Sequence, residues 1–99
     1  MKSWWFTEDC YPHLPDESTY RSIRVDLPNQ NCDPEIASDL YNRYLDLWCA
    51  CDEIGLGIML NEHHQTATCM VPAAPIMLGI LARQTKNERL QDFRGDKYF

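Results

Sequence analysis

The residues with the clearest chemical potential stand at 62–64, where a glutamate is followed by two histidines. Three apolar residues at 58–60 run directly into this cluster, and small polar residues follow it. Histidine has the side chain whose unperturbed pKa lies closest to neutrality, and a neighbouring carboxylate can tune it. Because α/β folds bind ligands at the carboxyl ends of parallel strands, a buried strand ending in titratable groups predicts a site there.

Other interpretations of these histidines stay open. Adjacent histidines are also found as satisfied, partly buried loop residues with no ligand. A small metal site could instead use Glu62, His63, His64, His13 and Cys69. The spacing disfavours a metal, because adjacent histidines point apart and no His-x-x-x-His or Cys-x-x-Cys pair occurs.

Two apolar runs predict strands. The aromatic run within 3–8 is continuous rather than alternating, which is typical of a strand covered on both faces. The run at 57–61 leads into the candidate site. Between the first strand and residue 33 the chain is rich in Pro, Asp and Asn, which predicts either a binding loop or lid or a disordered segment. Weak alternation at 21–27 predicts a short extended segment inside it.

A helix is predicted near 34–54. Asp33 can accept N-cap hydrogen bonds, Pro34 suits the first helical position, and Gly55 suits the C-terminal end. Apolar residues recur at helical spacing and predict a helix with one face on a sheet. That face comprises Leu40, Tyr44, Leu47, Cys51 and Ile54, widened by Ala37, Tyr41 and Trp48.

The strand, helix and strand form a predicted βαβ unit, which is parallel and almost always right-handed. Parallel neighbours end at the same edge, so Thr7 and Glu8 should line one mouth with residues 62–64. A second helix is predicted from Pro72 or Pro75 to about residue 86. It is apolar on every side between 76 and 82, so we expect it to be buried by more than the sheet.

Composition narrows the class of protein. A net charge of -6 and a pI near 4.8 argue against a nucleic-acid or anionic-membrane surface, which would need basic patches. The longest apolar run, 70–82, contains two prolines and is too short to span a bilayer. The N-terminus shows no signal-peptide apolar region. Five cysteines at irregular spacings predict reduced thiols, and the chain is expected to be cytoplasmic.

A family resemblance rests on five segments. They are residues 62–64, with 55–58 before them and 72–75 after them, together with 4–8 and 80–87. These segments resemble the bacterial luciferase-like flavin-dependent monooxygenases. The catalytic domain of that family is a TIM (β/α)8 barrel of about 250 residues.

A chain of 99 residues is therefore expected to form the incomplete N-terminal βαβα portion of such a barrel. Residues 1–90 would belong to the luciferase-like barrel domain. Residues 91–99 would be a divergent tail, because the apolar third strand of the family is not apparent there.

The resemblance also implies a site. His63 takes the position of the catalytic histidine, a general acid or base, while Glu62 orients the site and His64 shapes the pocket. Phe6 and Thr7 lie where the first strand approaches the flavin. The implied cofactor is reduced FMN, with O2 as co-substrate and a small organic molecule as substrate. Phosphate-binding residues come from later strands, so this chain alone should bind flavin weakly and be inactive.

A second role for the chain is a non-catalytic assembly module that pairs with a full-length subunit through the second helix. In the family the early helices also contribute to a dimer interface. Two parallel strands would leave both sheet edges unpaired, and unpaired edges template association. We therefore expect a homo- or hetero-oligomer rather than a well-behaved monomer.

Overall fold

A computed structural model describes residues 2–86 and the backbone of residues 90–92. Strands and helices alternate along the chain, which makes the described part a small α/β unit. The elements are β1 (Trp4–Phe6), α1 (Pro34–Glu53), β2 (Gly57–Leu60), α2 (Ala74–Gln84) and β3 (Leu90–Asp92), with 3-10 turns at Glu17–Thr19 and Asn29–Asn31. No helix in these residues is long and apolar enough to cross a membrane.

The sheet confirms the predicted βαβ unit. β1 pairs in parallel with β2, and Trp4 lies opposite Gly57. The strand order is β1-β2-β3, with β2 in the centre. Three parallel strands do not close a barrel, so the described residues show an α/β unit and no TIM barrel.

A third strand forms where the sequence showed no strand pattern. The backbone of β3 pairs in parallel with β2, with Leu90 opposite Ile58 and Asp92 opposite Leu60. The expectation that a third strand is missing is therefore wrong for these three residues. Parallel pairing is made by backbone hydrogen bonds, so a short strand can form without an apolar run. The rest of the expected divergent tail, 93–99, lies outside the described residues.

The ends of α1 follow the local signals. The Asp33 carboxylate accepts hydrogen bonds from the backbone N–H of Glu35 at 2.8 Å and of Ile36 at 3.4 Å. Pro34 begins the helix, and Gly55 beyond its end has a φ of 84°, where glycine is least strained. The predicted N-cap and glycine terminator are confirmed.

The buried face of α1 differs in phase from the predicted stripe. Trp48 is fully buried and Cys51 is buried, whereas Leu47 is 39% and Ile54 is 76% exposed. At about 100° per residue, positions 47 and 54 lie about 100° or more from Trp48. Cys51 and Tyr44 of the predicted stripe therefore lie on the core face with the widening residues Trp48 and Tyr41. Placing Leu47 and Ile54 on that face was wrong.

The core lies between the sheet and both helices. Ile58 and Leu60 alternate along β2 onto the helix-facing side of the sheet. The buried cluster comprises Trp48, Ile58, Leu60, Cys69, Val71, Ala74, Met77, Leu78 and Leu81. α2 contributes only one side to this cluster, because Ile76 is 66% and Ile80 is 36% exposed. Within the described residues, the expected burial of α2 on all sides is not observed.

β1 is also more exposed than the sequence predicted. Trp5 is 38% and Phe6 is 42% exposed, so the prediction of a strand covered on both faces is wrong. β1 is one of the two edge strands of the described sheet, and an edge strand has a neighbouring strand on only one side. The segment at 21–27 is not extended either, since residues 23–26 form a turn.

The closest approach between β1 and β2 can be tested at Gly57. A Cβ at this position would fall on the Trp4 indole ring. Gly57→Ala should therefore lower the free energy of unfolding by about 1–3 kcal/mol, as overpacked sites do. Gly79→Ala is the matched control, because a Cβ there meets open space within α2. That variant should gain about 0.5–1 kcal/mol. Equal effects in chemical denaturation would show that Trp4 does not pack on Gly57.

Candidate functional site

The ends of β1 and β2 are joined by a cation from the long loop between β1 and α1. Arg24 donates from Nη2 to Oε2 of Glu8 at 2.9 Å, and its Nη1 lies 3.3 Å from Nε2 of His63. Glu8 follows β1 and His63 follows β2, so the two strands end at the same edge as expected. Of the residues expected to line one mouth, 62–64 line the cleft described below, and Thr7 and Glu8 do not. Arg24 is the residue that connects the two strand ends.

The Glu62 carboxylate has two structural contacts at this mouth. Its Oε2 accepts a hydrogen bond from the backbone N–H of Ala74 at 2.8 Å, at the first residue of α2. Its Oε1 lies 2.7 Å from Nε2 of His64. A carboxylate is favourable at a helix N-terminus because it meets unsatisfied N–H groups and the positive end of the helix dipole. Glu62 thus positions α2 and His64, which is 67% exposed in its side chain.

His63 is held from its backbone and from both ring nitrogens. Its N–H donates to the carbonyl of Val71 at 3.2 Å, which fixes the loop after β2. Its Nδ1 lies 3.4 Å from Nδ2 of Asn61, and Asn61 Oδ1 accepts from the Cys69 thiol at 3.3 Å. Burial raises the pKa of the Cys69 thiol, so that group remains a donor at neutral pH.

An open cleft of about 460 Å³ lies over these residues. Its walls come from the long loop and from the segment after β2, and they are Arg24, Val25, Glu62, His63, His64, Gln65, Thr66 and Thr68. Thr66 donates from its hydroxyl to the carbonyl of Ile23 at 2.8 Å, which ties the two walls together. The long loop therefore covers one side of the site, as a binding loop or lid would.

The two residues expected near a flavin ring lie beside this mouth. Phe6 ends β1 and is 42% exposed. The Thr7 hydroxyl accepts a hydrogen bond from the backbone N–H of Asp9 at 3.3 Å. The role of Thr7 in the structure is thus to shape the turn after β1, and Phe6 offers an aromatic surface at the strand end.

Asp9 is a buried carboxyl that lies shortly after the end of β1. It is 1% exposed, and neither carboxyl oxygen has a hydrogen-bond partner among the described residues. Its φ of 50° lies in the left-handed region, which Asp tolerates better than most residues. Burial raises the pKa of Asp9 from 3.8 to about 7.

Sequence reasoning missed the cleft residue Arg24 and the buried Asp9, for different reasons. Asp9 follows a predicted parallel strand, so the strand-end rule that selected residues 62–64 could have selected it as well. Arg24 carries no local signal, because its partners are 16 and 39 residues away in the chain. Only the folded loop brings its guanidinium between Glu8 and His63.

The residues of the metal hypothesis are not assembled. His13 packs edge-on against the Tyr11 ring, with the ring centroids 5.7 Å apart. Across residues 2–86 and 90–92, no group of three or more His, Cys, Asp or Glu side chains is arranged to hold a metal ion.

Comparison of the chain with protein-family models, with curated proteins and with solved structures gave no match in any of the three. The features available for assigning a function are therefore the strand-end mouth, the hydrogen bonds of His63, and the buried Asp9.

The ionisation of Asp9 predicts a pH dependence of stability. The folded state holds the Asp9 proton up to a pKa of about 7, against 3.8 for an ordinary carboxyl. The Asp9 contribution to stability is therefore full below pH 3.8 and is lost as the pH rises to about 7. Asp9→Asn should remove this loss and raise the free energy of unfolding near pH 8. One pKa unit corresponds to about 1.4 kcal/mol, so the gain is on the order of a few kcal/mol.

Urea unfolding across this pH range measures the effect. Asp16→Asn is the control, because the exposed Asp16 carboxyl has its pKa lowered by hydrogen bonds from Ser18. That carboxyl is already ionised above pH 3.8, so this variant should keep the wild-type slope at higher pH. The same slope in Asp9→Asn as in wild type would remove Asp9 as its cause.

Proposed function

We propose that the chain is the N-terminal portion of a luciferase-like flavin-dependent monooxygenase, which uses reduced FMN and O2 on a small organic substrate. The observation that carries this proposal is the shared edge of β1 and β2, where Arg24 and His63 line an open cleft and Glu8 holds Arg24 from the β1 side. Parallel α/β units bind ligands at this edge of the sheet. A cytoplasmic location suits the five free thiols, because reducing compartments keep cysteines unpaired.

His63 is the general acid or base of the proposed site. It follows β2 directly, borders the cleft, and has ring contacts on both nitrogens. An imidazole can gain or lose a proton near neutral pH, which suits it to proton transfer. Glu62 acts through α2 and His64, so its proposed part is to orient the site. His64 forms part of the pocket wall.

The described residues fit only part of an FMN molecule. Phe6 and the open cleft offer a surface for a planar ring. The first N–H of α2 already donates to Glu62 and is not available to a phosphate. The sequence also has no Gly-rich phosphate loop. The flavin would supply the oxygen chemistry when bound. Its phosphate would be held by later strands, so this chain alone is proposed to bind flavin weakly and to be inactive.

The role of His63 is testable once residues 1–90 are joined to the missing barrel strands. In that enzyme His63→Ala should lower steady-state turnover by about 10²–10⁴-fold, the usual contribution of a general acid or base. His13→Ala is the matched control, because His13 packs on Tyr11 and does not line the cleft. Turnover that is unchanged in His63→Ala, measured as oxygen consumption with reduced FMN, would contradict the proposal.

The exposed side of α2 favours the second candidate, an assembly module that pairs with a full-length subunit or with another copy. Ile76 and Ile80 stand one helical turn apart and share one face of α2, at 66% and 36% exposed. Apolar surface left in water forfeits about 25 cal/mol per Å². Covering this face by association would recover that free energy, as the early helices do in the resembling family.

Association through α2 gives a direct measurement. The isolated chain should sediment as oligomers, and Ile76→Glu should shift it toward monomer by placing a charge in the contact. Ile54→Glu is the control, since Ile54 is 76% exposed at the end of α1. Both changes add one negative charge to an exposed isoleucine. A single monomeric wild-type species with a sharp melt would contradict both the association and the fragment interpretation.

A further inference from the structure

The hydrogen bonds around His63 restrict where its ring can carry a proton. Arg24 Nη1 lies 3.3 Å from Nε2, and a guanidinium has only donors. Nε2 must therefore act as the acceptor in this contact. A neutral imidazole has one protonated and one unprotonated nitrogen, so the proton of His63 belongs on Nδ1.

The contact between Asn61 and Nδ1 of His63 fits a proton on Nδ1 once the Asn61 side-chain amide is rotated by a half-turn. Asn61 Nδ2 lies 3.4 Å from Nδ1, while Asn61 Oδ1 receives the Cys69 thiol. A neutral imidazole cannot accept a hydrogen bond at both ring nitrogens, and the Arg24 guanidinium cannot accept one at all. A half-turn of the Asn61 amide exchanges its oxygen and nitrogen in nearly the same space. Asn61 Oδ1 then accepts from Nδ1–H, and Asn61 Nδ2 faces the Cys69 sulfur.

Glu8 supports this arrangement from the β1 side. Both of its carboxylate oxygens accept hydrogen bonds from Arg24 Nη2, at 2.9 Å for Oε2 and 3.3 Å for Oε1. The second guanidinium nitrogen, Nη1, is thereby aimed at His63. Since both side chains of this ion pair are about half exposed, its value is in orientation more than in stability.

We propose that Arg24, anchored by Glu8, fixes His63 as the Nδ1–H tautomer, which leaves Nε2 as the lone-pair nitrogen of the site. Arg24 is then a positioning residue for His63. The free histidine side chain prefers its proton on Nε2, so the fold reverses the intrinsic preference. A ligand in the cleft that displaced Arg24 Nη1 from Nε2 would give its proton to this lone pair, and the guanidinium would remain beside the negative charge left on the ligand. This catalytic meaning rests on the proposed function, whereas the tautomer itself does not.

The tautomer can be measured on the chain as it is, without turnover. With ¹⁵N-labelled histidine, long-range ¹H–¹⁵N spectra distinguish a protonated Nδ1 from a protonated Nε2, and His63→Gln identifies the His63 signals. Above the pH of histidine titration, wild type should show mainly Nδ1–H. Arg24→Gln replaces a group that can only donate with an amide that can also accept from Nε2–H, so the intrinsic preference should return and move the majority of the population to Nε2–H. Glu8→Gln should move it part of the way.

Arg21→Gln is the matched control, because it removes the same charge from the same loop and should leave the tautomer unchanged. Arg24→Lys retains a donor and should restore part of the Nδ1–H population. A proton on Nε2 of His63 in the wild-type protein would overturn the proposal, and this measurement does not depend on the folding of any variant. An Nδ1–H ring that is unaffected by Arg24→Gln would overturn it as well. A fixed tautomer combined with an inactive completed enzyme would instead count only against the proposed function.

Discussion

The parallel pairing of β1 with β2 is the contact on which the other features depend. It begins at Gly57, whose N–H donates to the carbonyl of Ser3 at 2.9 Å and whose missing side chain leaves room for the Trp4 ring. From this starting point the register places Phe6 opposite Met59, so both strands end at the same edge of the sheet. Parallel pairing requires α1 to bring the chain back across the sheet. The N-cap Asp33 and the glycine at 55 set where this helix begins and ends.

The strand ends become a site because the loops beyond them are tied to each other. The segment after β1 receives and gives backbone hydrogen bonds to the segment after β2, from Met70 to Asp9 at 3.0 Å and from Tyr11 to Ala67 at 3.1 Å. Thr66 adds a side-chain bond to the carbonyl of Ile23. These contacts attach the loop at residues 9–33 to the segment after β2, which counts against the prediction of a disordered segment. Without them, Arg24 would have no fixed position from which to meet Glu8 and His63.

Sequence reasoning succeeded where a few adjacent residues decide the outcome. Asp33, Pro34 and Gly55 determine the ends of α1 by local hydrogen bonding and backbone preference. It was less successful where distant parts of the chain decide. The phase of α1 is set by the fit of Trp48 against the core, and β3 is made by backbone pairing that leaves little trace in side-chain pattern. Arg24 reaches its partners only through the fold of the loop.

At the strand-end mouth Glu8 forms an ion pair with Arg24, and the Glu62 carboxylate contacts His64 and the start of α2. Asp9 is instead buried without a hydrogen-bond partner among the described residues, in a left-handed conformation. Local rules of backbone and polar satisfaction are broken in folded proteins mainly where function requires it. Burial without a partner disfavours the ionised carboxylate more than the protonated form, and this is why the pKa of Asp9 is raised to about 7. Among the described side chains the strand end shares this unsatisfied burial with the core, where the indole N–H of Trp48 also has no hydrogen-bond partner.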